Sequence, residues 1–220
     1  MKIAYINPNS SEGMTVSIVD SARKALPGTE IFGLTNTAGP PAIQGPEDGD
    51  RAIPGVLDLL PVVRMQGADA IVIACFDDTG LEEAQARSAL PVLGIGQASY
   101  VMASLFGMRF SVVTSLAVSI PVIGTNIEKL GYSRHCASVR ASDLPVLVID
   151  EGGPKVLDRI AAEIEAAVSE DGATAVILGC AGMAPLKEDL EARTDIPLID
   201  GVAASAYLSH AAAGWSIGGR

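Results

Sequence analysis

Two cysteines, Cys75 and Cys180, follow similar stretches of sequence, 105 residues apart (from 75 to 180). Residues 67–75 are GADAIVIAC and residues 172–180 are GATAVILGC, so each cysteine ends an apolar segment that begins with Gly-Ala. A thiolate can accept a proton and a thiol can return one. Placed on opposite faces of a carbon acid, the two groups could invert a stereocentre next to a carbonyl. The pair therefore predicts two-base racemase chemistry.

Thiol chemistry of this kind needs hydrogen-bond donors around the sulfurs and around the substrate. A free cysteine titrates near ~8.5, so a working base requires some stabilisation of its thiolate. Backbone N–H groups and helix dipoles after each cysteine could supply it. Similar donors must hold the enolate oxygen that develops on the substrate. The candidates are the segments after the cysteines and the ends of the paired strands: Asn7, Phe76, Asp77, Asp78, Thr114, Ser115, Ala181 and Gly182.

Two neighbouring carboxylates, Asp77 and Asp78, are open to two interpretations. They could tune the Cys75 thiol or bind a substrate N–H group. They could equally cap the helix predicted to start near Leu81, because short polar side chains satisfy free backbone N–H groups there. Both roles stay open for Asp77, and the cap is favoured for Asp78. The segment 7–10, Asn-Pro-Asn-Ser, has the same ambiguity.

Motifs for metals and nucleotides are absent from the sequence. The chain has no CxxC pair and only two histidines, so a structural zinc site is not expected. Gly94-x-Gly96 lacks the third glycine of a dinucleotide fingerprint, because Ser99 stands in its place. There is also no phosphate-binding loop and no GxSxG nucleophile motif. Cys136 has no repeat partner and is interpreted as a packing residue. We expect no metal and no nucleotide cofactor.

Short apolar segments rich in Val and Ile alternate with helix-like stretches, which predicts an α/β fold with parallel sheets. The predicted strands are Lys2–Asn7, Glu30–Leu34, Ala70–Cys75, Pro91–Ile95, Phe110–Thr114, Ala137–Ala141, Ala175–Gly179 and Pro197–Asp200. The predicted helices are Met14–Ala25, Ile53–Met65, Leu81–Ala89, Gln97–Phe106, Ile120–Leu130, Pro154–Ser169, Ala184–Ala192 and Val202–Trp215.

The internal repeat extends beyond the cysteines. Gly96 and Gly201 are also 105 residues apart. Pro91 and Pro197, which each open a strand, are 106 residues apart, so one inserted residue aligns them with the repeat. This predicts two pseudo-symmetric, Rossmann-like halves, residues 1–97 and 98–201, with the C-terminal helix at 202–220 joining the first half. Ligands of parallel sheets bind beyond the carboxyl ends of the strands. The site is therefore expected in the cleft between the halves.

Composition limits the partners of this chain of 220 residues. Hydrophobic residues make up 49%, charged residues 19%, and the formal net charge is −11 with no Lys/Arg-rich run. Nucleic acids and anionic membranes need clustered positive charge, so neither is expected as a partner. No apolar run is long enough for a signal peptide or a transmembrane helix. We expect a cytoplasmic homo-oligomer with a small-molecule substrate.

Several motifs together resemble the hydantoin racemase branch of the aspartate/glutamate racemase superfamily. They are Asn7-Pro8-Asn9 with Met14-Thr15, the stretch GPPAIQG at 39–45, Pro54-Gly55, ACFDDxGL at 74–81 and LGCAGM at 178–183. The resemblance implies pseudo-symmetric halves, no cofactor, and 5-monosubstituted hydantoins as substrates. It also implies that Cys75 serves the D enantiomer and Cys180 the L enantiomer, with a hydrophobic side-chain pocket near Ile43 and Phe76.

Departures from the superfamily's patterns narrow the expected substrate. Amino-acid racemases carry Cys-Asn-Thr and Gly-Cys-Thr, whose polar residues hold a carboxylate. Phe76-Asp77 and Ala181-Gly182 take those places here, and the usual histidine near the second cysteine is missing. These changes argue against an amino-acid substrate. Within the hydantoin branch, Thr79 stands where proline is usual and Gln44 where glutamate is frequent.

Five other functions compete with hydantoin racemisation. Allantoin racemase has similar motifs and chemistry, since allantoin is a hydantoin with a ureido group. Decarboxylases and cis-trans isomerases of the superfamily are further alternatives, although such decarboxylases need only one cysteine. An amino-acid racemase is disfavoured by the departures above. A binding protein without turnover would respond to ligand in its melting temperature but never exchange the ligand's α-proton.

Overall fold

The computed structural model describes residues 1–217 and contains two four-stranded parallel sheets. The first sheet is formed by β1 (Lys2–Asn7), β2 (Glu30–Thr35), β3 (Ala70–Ile73) and β4 (Val92–Gly94) in the order β2-β1-β3-β4. The second is formed by β5 (Phe110–Thr114), β6 (Cys136–Ala141), β7 (Ala175–Gly179) and β8 (Leu198–Asp200) in the order β6-β5-β7-β8. The two orders are equivalent, which confirms the predicted α/β fold with two similar sheets.

Nine α-helices connect and cover these strands within residues 1–217. They are α1 (Glu12–Ala25), α2 (Pro46–Met65), α3 (Leu81–Arg87), α4 (Ile95–Leu105), α5 (Ile120–Lys129), α6 (Val146–Glu151), α7 (Pro154–Ser169), α8 (Lys187–Glu191) and α9 (Gly201–Ile217). Two short 3-10 helices, Ala117–Ser119 and Ala181–Leu186, follow β5 and β7. None of the described helices is both long enough and apolar enough to cross a membrane.

Alternating side chains of the strands bury both faces of each sheet. Tyr5 of β1 and Ile177 of β7 face a common core between the two sheets, whereas their neighbours Ile6 and Leu178 face separate cores on the outer sides. All four side chains are essentially inaccessible to solvent. Parallel strands covered on both faces are apolar almost throughout. This arrangement explains the near-continuous apolar segments of the sequence.

The last helix, α9, packs back towards the start of the chain. It contacts α4, α1 and β3. The Tyr5 hydroxyl donates to the Val202 carbonyl over 3.0 Å and shares a second 3.0 Å hydrogen bond with the Ser205 hydroxyl. Residues 218–220 of the predicted helix lie outside the described residues. The boundaries at residues 97 and 201 stay a prediction.

Three helical elements differ from the prediction. Helix α2 begins at Pro46, because proline at the first position and the acidic residues of the first turn favour a helix start there. Helix α6 was not predicted at all. The predicted helix Ala184–Ala192 is divided into a 3-10 turn and α8, with Pro185 in the 3-10 part. Proline removes a backbone donor, which an α-helix interior tolerates poorly.

Candidate active site

The two cysteines lie at equivalent ends of the two sheets. Cys75 is two residues beyond β3, and Cys180 directly follows β7. Each begins a tight turn of the same form, in which the cysteine carbonyl accepts the N–H of the residue three positions later. Asp78 N–H donates to Cys75 over 3.0 Å and Met183 N–H donates to Cys180 over 3.0 Å. The internal repeat therefore places both thiols by the same local geometry.

Both cysteines line one small cavity between the sheets, with a volume of about 30 Å³. The lining includes most of the residues predicted from the sequence: Ile43, Cys75, Phe76, Asp77, Thr114, Ser115, Cys180 and Ala181. Six further lining residues were not predicted as site residues, which are Asn9, Met14, Ala74, Ser119, Val146 and Gly179. When Cys180 is a thiolate, its negative charge raises the pKa of Cys75, so the two sulfurs lie near each other.

Burial raises the pKa of both thiols above the ordinary value. For Cys75, the negative charge of Asp77 raises the pKa further, while the Thr79 hydroxyl, 3.5 Å from the sulfur, and the Asp77 N–H lower it. For Cys180, burial raises the pKa to about 12, although the Gly182 N–H lowers it. The raised pKa values favour neutral thiols at pH 7, and the Asp77 and Gly182 N–H groups stabilise a thiolate once one forms.

We expect iodoacetamide to modify Cys180 slowly in the ligand-free protein. A thiol with a pKa of about 12 has roughly a thousandth of the thiolate of an ordinary cysteine at pH 7, and only the thiolate is nucleophilic. The rate should also rise about tenfold for each pH unit between pH 7 and 9, without reaching a plateau. Peptide mass spectrometry with glutathione as the reference thiol measures both quantities. A Cys180 rate equal to that of glutathione at pH 7 would contradict this description.

Asn9 lines the cavity, and Asn7 lies outside it and donates a hydrogen bond to Asn9. The Asn7 amide donates to Asn9, Thr15 and the Ser11 carbonyl, and none of its atoms lines the cavity. The Asn9 amide nitrogen points the other way, towards the Met14 sulfur at 3.4 Å in the cavity wall. Asn9 therefore lines the cavity, and its amide nitrogen lies against Met14. The Asn-Pro-Asn motif was the sequence signal for it.

Asp78 caps a helix, but a different one from the helix favoured by the sequence. Its carboxylate accepts the Gly96 N–H over 2.9 Å and the Gln97 N–H over 2.7 Å, at the start of α4. The first N–H of α3, on Leu81, is bound by the backbone carbonyl of Asp78. The Asp78 side chain is buried, which raises its pKa to about 8, and it does not line the cysteine cavity.

The second sheet contributes hydroxyl groups. The Thr114 hydroxyl donates to the Gly179 carbonyl over 3.0 Å, which ties β5 to β7 beneath Cys180. Ser115 lines the cavity on the same side. The Ser119 hydroxyl donates to the Asp77 carboxylate over 3.2 Å and so links the two sheets' loops. Gly182 does not line the cavity, and its contribution is the N–H near the Cys180 sulfur.

Two apolar side chains, Ile43 and Val146, complete the lining. The Gln44 side-chain oxygen accepts the Val146 N–H over 3.1 Å, so the segment before α2 is joined directly to the start of α6. Ile43 and Phe76 both line the cysteine cavity, and their role as a pocket for the substrate's side chain stays a prediction. Among residues 1–217, no cluster of three or more His, Cys, Asp or Glu side chains could hold a metal ion.

Comparison with known proteins agrees with this geometry. The model of the Asp/Glu/Hydantoin racemase family matches residues 3–208. The hydantoin racemase of Rhizobium meliloti is 41% identical over 97% of this chain and 89% of its own length, and that of Pseudomonas sp. (strain NS671) is 36% identical over 93% and 82%. The solved allantoin racemase from Klebsiella pneumoniae superposes with a TM-score of 0.93 at 38% identity, covering 98% of this chain and 88% of its own. The chain therefore belongs to the Asp/Glu/Hydantoin racemase family, and it is a racemase, that is, an isomerase.

Proposed function

We propose that this racemase inverts C5 of 5-monosubstituted hydantoins without a cofactor, with Cys75 and Cys180 as the two acid–base groups. The observation that carries the proposal is the shared cavity, which both thiols line from equivalent ends of two similar sheets. A planar enolate held between them would face one sulfur on each side. Removal of a proton from one face and return of a proton to the other inverts the stereocentre.

The reaction begins with one cysteine as thiolate and the other as thiol. The thiolate removes the C5 proton, the electron pair moves onto the carbonyl as an enolate, and the opposite thiol protonates C5. The roles of the cysteines are then exchanged, ready for the other enantiomer. We assign the D enantiomer to Cys75 and the L enantiomer to Cys180. We assign the enolate oxygen to the Asn9 amide and the Ser115 hydroxyl, because both residues line the cavity and can donate a hydrogen bond.

Burial of the thiols suits a weakly acidic carbon. A base with a raised pKa is stronger, so proton transfer from C5 is less unfavourable once the thiolate has formed. The cost of the raised pKa is that only a small fraction of each cysteine is thiolate before a substrate binds. The Asp77 and Gly182 N–H groups offset part of this cost, because they lower the pKa of Cys75 and Cys180 respectively.

The cavity favours a substrate whose reacting ring is uncharged. Among the described residues that line it, none is Lys, Arg or His, so no cation is present to bind an α-carboxylate. This argues for a hydantoin over a free amino acid. Allantoin, itself a hydantoin, is the second candidate, and the likeness to the allantoin racemase from Klebsiella pneumoniae supports it. Two thiols on one cavity argue against a decarboxylase of this superfamily, which needs only one cysteine, and against a binding protein without turnover, which needs none.

Proton NMR of enantiopure hydantoins in D2O tests the proposal. We expect the protein to abolish optical rotation and to replace the C5 proton by deuterium, well above the spontaneous rate in buffer alone. The Cys75→Ser/Cys180→Ser double variant is the control for catalysis by other groups. If the protein neither exchanges nor racemises any hydantoin, allantoin included, the substrate assignment is wrong. A ligand-induced rise in melting temperature without any exchange would identify a binding protein instead.

A further inference from the structure

The cysteine cavity alone is too small for the proposed substrates, so part of a bound substrate must occupy a neighbouring space. A volume of about 30 Å³ has room for one or two waters, whereas a five-membered ring with a substituent occupies several times that volume. A much larger cleft, of about 570 Å³, lies beside it. The start of α2, the segment 77–83 after Cys75, and α5 form the walls of this cleft.

Asp77 lies at the junction of the two spaces, because it lines both of them. Thr79 lines the cleft and donates to the Cys75 sulfur over 3.5 Å, so the cleft approaches the thiol to within one side chain. One carboxylate oxygen of Asp77 accepts the Ser119 hydroxyl, and the Asp77 carbonyl accepts the Asn126 amide over 2.9 Å. Among the described residues, the other carboxylate oxygen has no hydrogen-bond donor.

The cleft beyond Asp77 is acidic. Asp50 and Glu83 line it, and neither has an ion-pair partner among the described residues. Lys129 also lines it, but its ammonium group is paired with Glu82 over 3.0 Å. A group with N–H donors is favoured in such a space, and a carboxylate is repelled. At pH 7 and above the Asp77 side chain is mostly ionised, because burial raises its pKa only to about 6.

We propose that Asp77 determines specificity for the C5 substituent: the substituent extends past Asp77 into the cleft, and the carboxylate accepts its N–H groups. The substrates selected are hydantoins whose 5-substituent bears a ureido, amide or amino group, in preference to those with alkyl or carboxylate substituents. A ureido group on C5, as in allantoin, presents N–H donors that the second carboxylate oxygen of Asp77 can accept. This inference rests on the proposed function and names the substrate class within it.

A first test uses a matched pair of substrates on the unmodified protein. Hydantoins with 5-(2-carbamoylethyl) and 5-(2-carboxyethyl) groups have the same shape, and they differ in charge and in N–H donors. We expect kcat/KM to favour the amide by about tenfold or more, because like charges placed together are strongly disfavoured. Equal values, or a preference for the carboxylate, would overturn the inference. Failure to racemise either compound or any other hydantoin would instead count against the proposed function.

A second test replaces the carboxylate. Asp77→Asn keeps the shape of the side chain and an oxygen for the Ser119 hydroxyl, but removes the charge. We expect the ratio of kcat/KM for 5-ureidohydantoin to that for 5-isobutylhydantoin to fall about tenfold, mainly through KM. Any change in the thiol pKa values affects both substrates alike and cancels in the ratio. Asp58→Asn, on the exposed face of α2 and outside both cavities, is the matched control. An unchanged ratio in Asp77→Asn would overturn the inference.

Discussion

Replacing Cys75 or Cys180 by serine is expected to lower racemisation of either enantiomer by roughly 10²–10⁴-fold, the usual contribution of a positioned acid or base. A hydroxyl is a far weaker acid than a thiol, so it can neither hold the negative charge nor return the proton at a useful rate. Both single variants should lose the overall reaction to a similar degree, because each enantiomer needs both faces. Polarimetry with enantiopure hydantoins measures the loss.

Deuterium exchange should separate the two variants even though racemisation is lost in both. In Cys180→Ser the remaining Cys75 can still remove and return the proton on its own face, so the D enantiomer should exchange its C5 proton without inversion. Cys75→Ser should exchange only the L enantiomer. Cys136→Ser is the matched control, since this half-buried cysteine lies on β6 with its sulfur 3.5 Å from the Ser138 carbonyl. Undiminished racemisation in either active-site variant would exclude the two-cysteine mechanism.

The second large effect is expected from a single methyl group at Gly96. A Cβ atom there would lie 2.4 Å from the Phe76 carbonyl oxygen and 2.9 Å from the Asp78 carboxylate. The first contact is with backbone, so the turn that carries Cys75 must move. Overpacking of this kind costs about 1–3 kcal/mol or more. Displacement of a catalytic group by about 1 Å lowers the rate by about 10²-fold.

Urea denaturation and steady-state kinetics of Gly96→Ala measure both consequences. Gly124→Ala is the control, because nothing lies within 4 Å of the added Cβ and the residue is inside helix α5. Alanine in that position should stabilise the protein by roughly 0.4–1 kcal/mol and leave activity unchanged. If the two variants have the same stability and the same kcat, the close packing of α4 on the Cys75 turn does not constrain the site.

Most of what the sequence predicts about the fold and the site comes from its internal repeat. Two similar apolar strands, each followed by a cysteine, were enough to predict two similar parallel sheets with the thiols at their carboxyl ends. Strands such as Lys2–Asn7, Phe110–Thr114 and Ala175–Gly179 were located to the residue, because their apolar residues form short runs between clear turn signals. Seven of the lining residues follow from this local reasoning, and Ile43 follows from the family resemblance.

The parts that were missed depend on contacts between distant residues. Nothing near Asp78 in the sequence indicates that its carboxylate would cap a helix that starts at Ile95. Two short polar side chains next to a predicted helix favour the local cap, and only the left-handed backbone at Asp78, with φ of 52°, turns the side chain away. Val146 and Ser119 line the site from segments without any sequence motif, so only the packing of the two sheets identifies them.

The position of α9 has a consequence for how the chain is made. On the ribosome, the strands of the first sheet are synthesised before any other, and domains generally fold in that order. Helix α9 accepts the hydrogen bond of the Tyr5 hydroxyl and packs against the first sheet, and it is synthesised only after both sheets. The part of the protein that is made first is thus completed last. A nascent chain that ends before residue 201 has all eight strands, but the Tyr5 hydroxyl still lacks both of its hydrogen-bond partners, Val202 and Ser205.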